Sequence, residues 1–151
     1  MTDPSMTVAR RRWMSVLARA ASRDLEAAWV ALGTRPIYRV VRTPELGMVM
    51  LRGRAGGSGP RFNLGEMTVT RCSVELESGA MGHAYVAGRD LRHAELAAVF
   101  DALLQDGRLQ DTLERSVIAP FEEAQRESRH LADSRSAATK VEFFTLVRGE
   151  D

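Results

Sequence analysis

Met67-Thr68-Val69-Thr70-Arg71-Cys72-Ser73-Val74-Glu75-Leu76 has the pattern of a half-buried strand. Period-two alternation sends Thr68, Thr70, Cys72, Val74 and Leu76 to one face, and Met67, Val69, Arg71, Ser73 and Glu75 to the other. Ser78-Gly79 follows as a hairpin signal, and residues 81–87 pair back as a short strand. Gly82 inside that second strand marks a bulge or a close backbone approach.

Upstream, residues 37–41 are β-branched and aromatic, and Pro36 and Pro44 bracket them. Residues 48–51 continue in an extended register, until Gly56, Gly57, Gly59 and Pro60 interrupt as a turn. These segments predict a central antiparallel sheet of about four strands. Ahead of them lies a helical hairpin. Its first helix carries Trp13 and Leu17 at i, i+4 spacing. Ser22 is the expected N-cap of the second, which carries Leu25, Ala28, Trp29 and Leu32 and stops at Gly33. Core packing accounts for the two tryptophans.

Downstream, Asp90 is the expected cap of a helix with Leu96, Val99, Phe100, Leu103 and Leu104 on its apolar face, ending at Asp106-Gly107. A further helix starts over residues 109–117. Pro120 breaks or restarts it, and Ala119 is biased out of helical geometry. Residues 121–136 are highly charged and read as a solvated helix, or as one needing a partner. The chain closes on an apolar segment with Phe143, Phe144, Leu146 and Val147, either a last core strand or a contact for another subunit. The expected class is α+β in a single domain over residues 1–151.

The composition is that of a globular protein, with 44% hydrophobic and 27% charged residues. A chain of this length buries on the order of 70% of the surface its unfolded form exposes. A lone cysteine, Cys72, excludes an intrachain disulfide and fits a reducing compartment. No apolar run reaches membrane-spanning length. Arg10-Arg11-Arg12 ahead of a short apolar stretch resembles a secretory leader, but Arg19 cuts that stretch short. A cytoplasmic location is expected. Charge is unevenly placed: residues 1–65 hold 11 arginines and four acids, and residues 66–151 hold 10 basic and 16 acidic residues. Either the halves neutralise each other in the fold, or the basic half faces an anionic partner. Lys140 is the one lysine among 21 basic residues, and the arginine excess permits phosphate or phosphonate contacts without demanding them.

No catalytic machine is legible. Gly56-Gly57-Ser58-Gly59 lacks the Gly-Lys-Ser/Thr ending of a phosphate loop and reads as a hairpin turn, although Arg54 and Arg61 flank it. His83, His93 and His130 show no metal-ligand spacing, so no metal is assigned to this chain. His93 falls in the first turn after Asp90, near a positive helix end that lowers its affinity for a proton. It is a candidate catalytic group, with a structural role as the alternative. Arg71 is a candidate for catalysis or anion binding, with an ion pair to Glu75 as the alternative. Cys72 shares a face with Val74 and Leu76 and is a buried small hydrophobe. No recognition-helix motif supports nucleic-acid binding, and the acidic second half opposes it.

Arg61-Phe62-Asn63-Leu64-Gly65-Glu66-Met67-Thr68-Val69-Thr70-Arg71, Tyr85-Val86-Ala87-Gly88-Arg89-Asp90 with His93-Ala94-Glu95, and Val141-Glu142-Phe143-Phe144-Thr145-Leu146-Val147-Arg148-Gly149 together resemble the PhnG family. Trp13-Met14-Ser15-Val16-Leu17-Ala18 adds a fourth block. Asp is more usual than Glu at the position of Glu66, so the charge is kept and the reach altered. The resemblance implies a subunit of the carbon-phosphorus lyase core complex. That family acts with PhnH, PhnI and PhnL to form α-D-ribose 1-methylphosphonate 5-triphosphate from MgATP and methylphosphonate, releasing adenine. PhnJ, a further core subunit, later breaks the carbon-phosphorus bond. The resemblance also implies a hetero-oligomer with chemistry centred on PhnI, and no cofactor bound by this chain alone. Arg71, Arg89, Arg148 or His93 are the residues it has to lend to a shared site, since Arg suits the triphosphate and an acid suits the departing adenine.

Overall fold

The computed structural model describes residues 4–138. Helix α1 spans Pro4–Arg19 and α2 spans Ser22–Ala31. Strands β1 (Tyr38–Arg54), β2 (Arg61–Leu76) and β3 (Met81–Ala87) follow, and then helices α3 (Leu91–Leu103), α4 (Gly107–Leu113) and α5 (Ala119–Ala138). Arg148 and the apolar segment with Phe143, Phe144, Leu146 and Val147 lie outside the described residues.

The α+β class stands, but among the described residues the sheet has three antiparallel strands in the order β1-β2-β3 rather than four. The two upstream segments, 37–41 and 48–51, belong to one 17-residue strand. Pro44 does not divide them. The pairing register shifts between Val40 and Arg42 and again between Arg42 and Glu45. Pro44 therefore sits in an irregular stretch of an edge strand, where its missing N–H opens no ladder bond.

Thr70, Cys72, Val74 and Leu76 are buried, as their alternation requires. Helix α3 covers that face. It is buried nearly all round, because α1 and α2 pack on its other side. Asp90 caps it, its carboxylate accepting from the His93 N–H at 2.9 Å. Ser22 does not cap α2; it is the first helical residue, and Ala21 precedes it without a side-chain bond. Asp106 likewise caps α4, accepting from the Arg108 N–H, instead of closing α3. Trp13 and Trp29 are both buried in the core.

Gly82 resolves to a close backbone approach. A Cβ there would lie 1.9 Å from the Ala98 carbonyl oxygen and 2.8 Å from the Ala102 nitrogen. Beside it sits Asp101, among the described residues the one fully buried carboxylate. Its Oδ1 accepts from Trp13 Nε1 at 2.9 Å and from Arg10 Nε at 3.1 Å. Its Oδ2 accepts from Arg10 Nη2 at 2.7 Å and from the His83 backbone N–H at 2.9 Å. Arg10 also donates to the Met81 carbonyl at 3.0 Å. One side chain thus ties α1, β3 and α3 together.

Pro120 neither breaks nor restarts the last helical run. Residues Glu114–Ile118 widen into a π turn, and the Ala119 N–H reaches the Glu114 carbonyl five residues back. Ala119 keeps helical angles (φ −61°, ψ −45°). The wider turn displaces the carbonyl that the proline ring would strike and that would otherwise need its N–H. Helix α5 is largely solvated, and Arg12 clamps its start through Glu122 at 2.6 Å and Glu114 at 2.9 Å.

Two substitutions test this core. Asp101→Asn replaces one acceptor oxygen with an NH₂ that must face two donors, and is expected to cost about 3 kcal/mol in denaturant unfolding of the full chain. Gly82→Ala drives a methyl into helix backbone and is expected to cost at least about 3 kcal/mol, the upper end for overpacking. An unchanged unfolding midpoint for either would refute the packing described.

Candidate functional site

The sheet has one face under α3 and one open face. Arg71 lies at the middle of the open face, with Glu45 opposite it on β1 and Tyr85 opposite it on β3. Its Nε donates to Glu45 Oε1 at 2.8 Å. Glu75 is not the partner; it pairs with Arg39, its neighbour across the β1–β2 ladder. Cross-strand neighbours lie closer than residues two apart along one strand, which is why Glu45 wins. Tyr85 and then Glu45 strengthen the hold of Arg71 on its proton. The Arg71 side chain is 39% exposed and Glu45 45%, so water competes for the pair. An anionic group of a ligand or partner can therefore displace Glu45 at little cost. Next along the face, Ser73 Oγ and His83 Nδ1 are hydrogen-bonded at 2.9 Å.

His93 is elsewhere. It is buried, and its Nε2 lies 2.8 Å from the Leu17 carbonyl oxygen. A carbonyl only accepts, so Nε2 carries the proton and donates. The ring pins the start of α3 to the end of α1, on the covered side of the sheet. Arg71 and His93 are thus not brought together. Arg89 is exposed in the short link between β3 and α3.

Cys72 is buried, with Sγ 3.4 Å from the Arg42 carbonyl oxygen, and burial pushes its thiol up to about 11, with the Glu95 charge adding to the effect. It is an inert core group. The glycine turn joins two antiparallel strands instead of leading into a helix, and Arg54 Nη1 donates back to the Gly59 carbonyl at 3.2 Å. Phosphate cradling is not the geometry of this loop. A cavity of about 620 Å³ between α2 and α4 is lined by apolar groups, with the hydroxyls of Thr34, Thr112 and Ser116 and no ionisable side chain. It offers a surface for apolar contact and no acid or base. Among the described residues no three His, Cys, Asp or Glu side chains gather to hold a metal ion, and no helix is long and apolar enough to cross a membrane.

Two polar clusters were not legible as such. One is the Arg10–Asp101–Trp13 junction. The other surrounds Trp29. Arg92 sits 5.9 Å over its ring and pairs with Glu26 at 3.0 Å, while Tyr38 meets the ring edge-on and donates to Glu95 at 2.7 Å. The signal for the second lay in Arg92 and Glu95, spaced to meet on one helix face.

The Asp90 cap has a pH signature. The His93 backbone N–H, and then the Ser22 hydroxyl, hold the Asp90 carboxyl below its ordinary 3.8. A depressed native value means that the folded chain favours the ionised form. That contribution is complete above about pH 4 and is lost as pH falls through the native value. Asp90→Asn keeps a capping oxygen and removes the titration. The variant is expected to lose less stability than the parent between about pH 5 and pH 3 in denaturant titrations. Parallel losses would show the carboxylate to be uninvolved.

The match to known proteins covers nearly everything described above. A family model for "Phosphonate metabolism protein PhnG" matches residues 8–149. A protein of Rhizobium meliloti (strain 1021), "Alpha-D-ribose 1-methylphosphonate 5-triphosphate synthase subunit PhnG", is 43% identical over 150 residues, which is 99% of this chain and 96% of the relative. Identity at that level over nearly the whole of both chains, with the family model matched over most of this one, shows the kinship: the chain belongs to the PhnG family of phosphonate metabolism proteins.

Proposed function

We infer that this chain is a subunit of the enzyme that joins the ribose 5-triphosphate part of ATP to methylphosphonate and releases adenine, and that its own part is assembly. The full-length kinship with a subunit of that synthase carries the reading. The geometry agrees with it. His93 is occupied in the fold, Arg71 stands on an open sheet face, and Arg89 is in a separate link. In the reaction a phosphonate oxygen bonds to the anomeric carbon of the ribose as the carbon–nitrogen bond to adenine breaks. The substrate is MgATP, and no cofactor is assigned to this chain. Companion subunits PhnH, PhnI and PhnJ, with PhnL, supply the rest in a cytoplasmic hetero-oligomer, and the bond-making groups sit in a companion.

A second reading rests on one observation, the exposed and exchangeable Arg71–Glu45 pair. In it Arg71 swings to an anionic substrate bound mainly by a neighbour.

Adenine release from MgATP and methylphosphonate separates these. The complete set of subunits is expected to turn over, and omission of this chain to abolish turnover. Arg71→Ala is expected to assemble and to keep kcat within about twofold. A loss of tenfold or more in an intact assembly would move Arg71 to the substrate. Turnover by the chain alone at the rate of the complete set would overturn the assembly reading.

A further inference from the structure

Strand β3 ends at Ala87, opposite Val69, which is opposite Gly47 on β1. Beyond that line β1 and β2 continue to Arg54 and Arg61, and among the described residues they have only each other in the sheet. At about 3.3 Å per residue this two-stranded arm extends roughly 25 Å past the end of β3. Its side chains are not those of a solvated hairpin. Met48 is 66% exposed, Leu64 64%, Met50 50% and Phe62 45%. Met48 and Met50 share one face by alternation. Phe62 and Leu64 crowd over Gly53 on the other, where an added Cβ would lie 3.5 Å from the Phe62 ring. Each face thus carries large apolar side chains in solvent. A two-stranded ribbon with no covered face is marginal in water, and long exposed apolar strands are otherwise avoided.

Charge narrows the occupant. Past that line residues 48–68 contain Arg52, Arg54 and Arg61 against one acidic residue, Glu66, which stands opposite Met50. Among the described residues none of these three is in an ion pair. A symmetric pairing of two arms would set like charges together at the tips. A head-to-tail contact with the acidic helices of another copy would build a ring or an open filament of this chain alone. A different protein satisfies both the apolar faces and the arginines.

Resting on the subunit reading above, we propose that the β1–β2 arm is the element by which this chain docks on a companion subunit of the synthase, entering an apolar cleft rimmed by Asp and Glu carboxylates. Methionine, leucine and phenylalanine fill the cleft, and the arginines meet its rim. The companion protein replaces the missing third layer of the sheet.

The test is co-expression of the tagged full chain with the companion subunits, followed by capture at low and high salt. Met48→Glu with Leu64→Glu is the first variant, since both side chains are already largely in solvent. It is expected to lower capture at least about tenfold while leaving the thermal unfolding of the free chain unchanged. Arg52→Gln with Arg54→Gln and Arg61→Gln is the second, expected to weaken capture at low salt and to flatten its salt dependence. Capture of both variants at the parental stoichiometry would overturn the docking role and leave the subunit reading standing. Failure of the parental chain to be captured would overturn the subunit reading, and the arm proposal with it. Self-association of the parental chain that the first variant abolishes, with capture by companions intact, would assign the arm to a second copy and also overturn it.

Discussion

The fold turns on one buried carboxylate. Asp101 sits inside the apolar helix α3, where an ion without partners would cost several kcal/mol. Four donors converge on its two oxygens, from Arg10 and Trp13 on α1 and from the His83 backbone on β3. The last of these depends on a missing side chain. His83 reaches Asp101 because its neighbour Gly82 lets β3 lie directly on the backbone of Ala98 and Ala102. Ala98, Asp101 and Ala102 occupy one face of α3 at i, i+3 and i+4 spacing. The glycine and the carboxylate are therefore two parts of a single contact. The same contact sets how far the sheet stands from α3, and so which side chains of β2 are covered.

What the sequence could say depended on whether the cause was local. The Met67–Leu76 alternation, the Asp90 cap and the close approach at Gly82 are local patterns; the structure agrees with the last two, and with the alternation from Thr70 on, while Thr68 is only half-buried and Val69 of the opposite row is buried. Pro44 misled because a proline speaks for its own N–H and not for its strand's place in the sheet. On edge strand β1, at a register shift, it is tolerated and the strand runs on. Pro120 misled for the same reason in reverse, since a π turn absorbs it. Asp101 gave a faint signal, a charge inside an apolar run. Its partners lie 88 and 91 residues away, and periodicity carries no information about them. At the candidate site the alternation put Arg71 on the face opposite Thr70 and Cys72, and the structure leaves that face uncovered by α3. The partner of Arg71 followed from the ladder register, which only the folded sheet supplies.

The uneven charge of the chain finds its explanation in the same register. The basic first half and acidic second half largely meet inside the fold: Arg10 with Asp101, Arg12 with Glu114 and Glu122, Arg39 with Glu75, and Arg92 with Glu26 in the opposite sense. Arg11, Arg19 and Arg35 in the body are in none of these pairs, and neither are the three arginines of the arm. Arg52, Arg54 and Arg61 lie past Ala87 on a ribbon that no helix covers, alongside the most exposed methionine and leucine of the sheet. Internal pairing thus accounts for part of the charge asymmetry, and the arm's arginines are among those it leaves over. Such a division suits a subunit. The body holds its shape through buried contacts that do not involve the arm, so the arm is free to present a surface that a self-sufficient domain would have to hide.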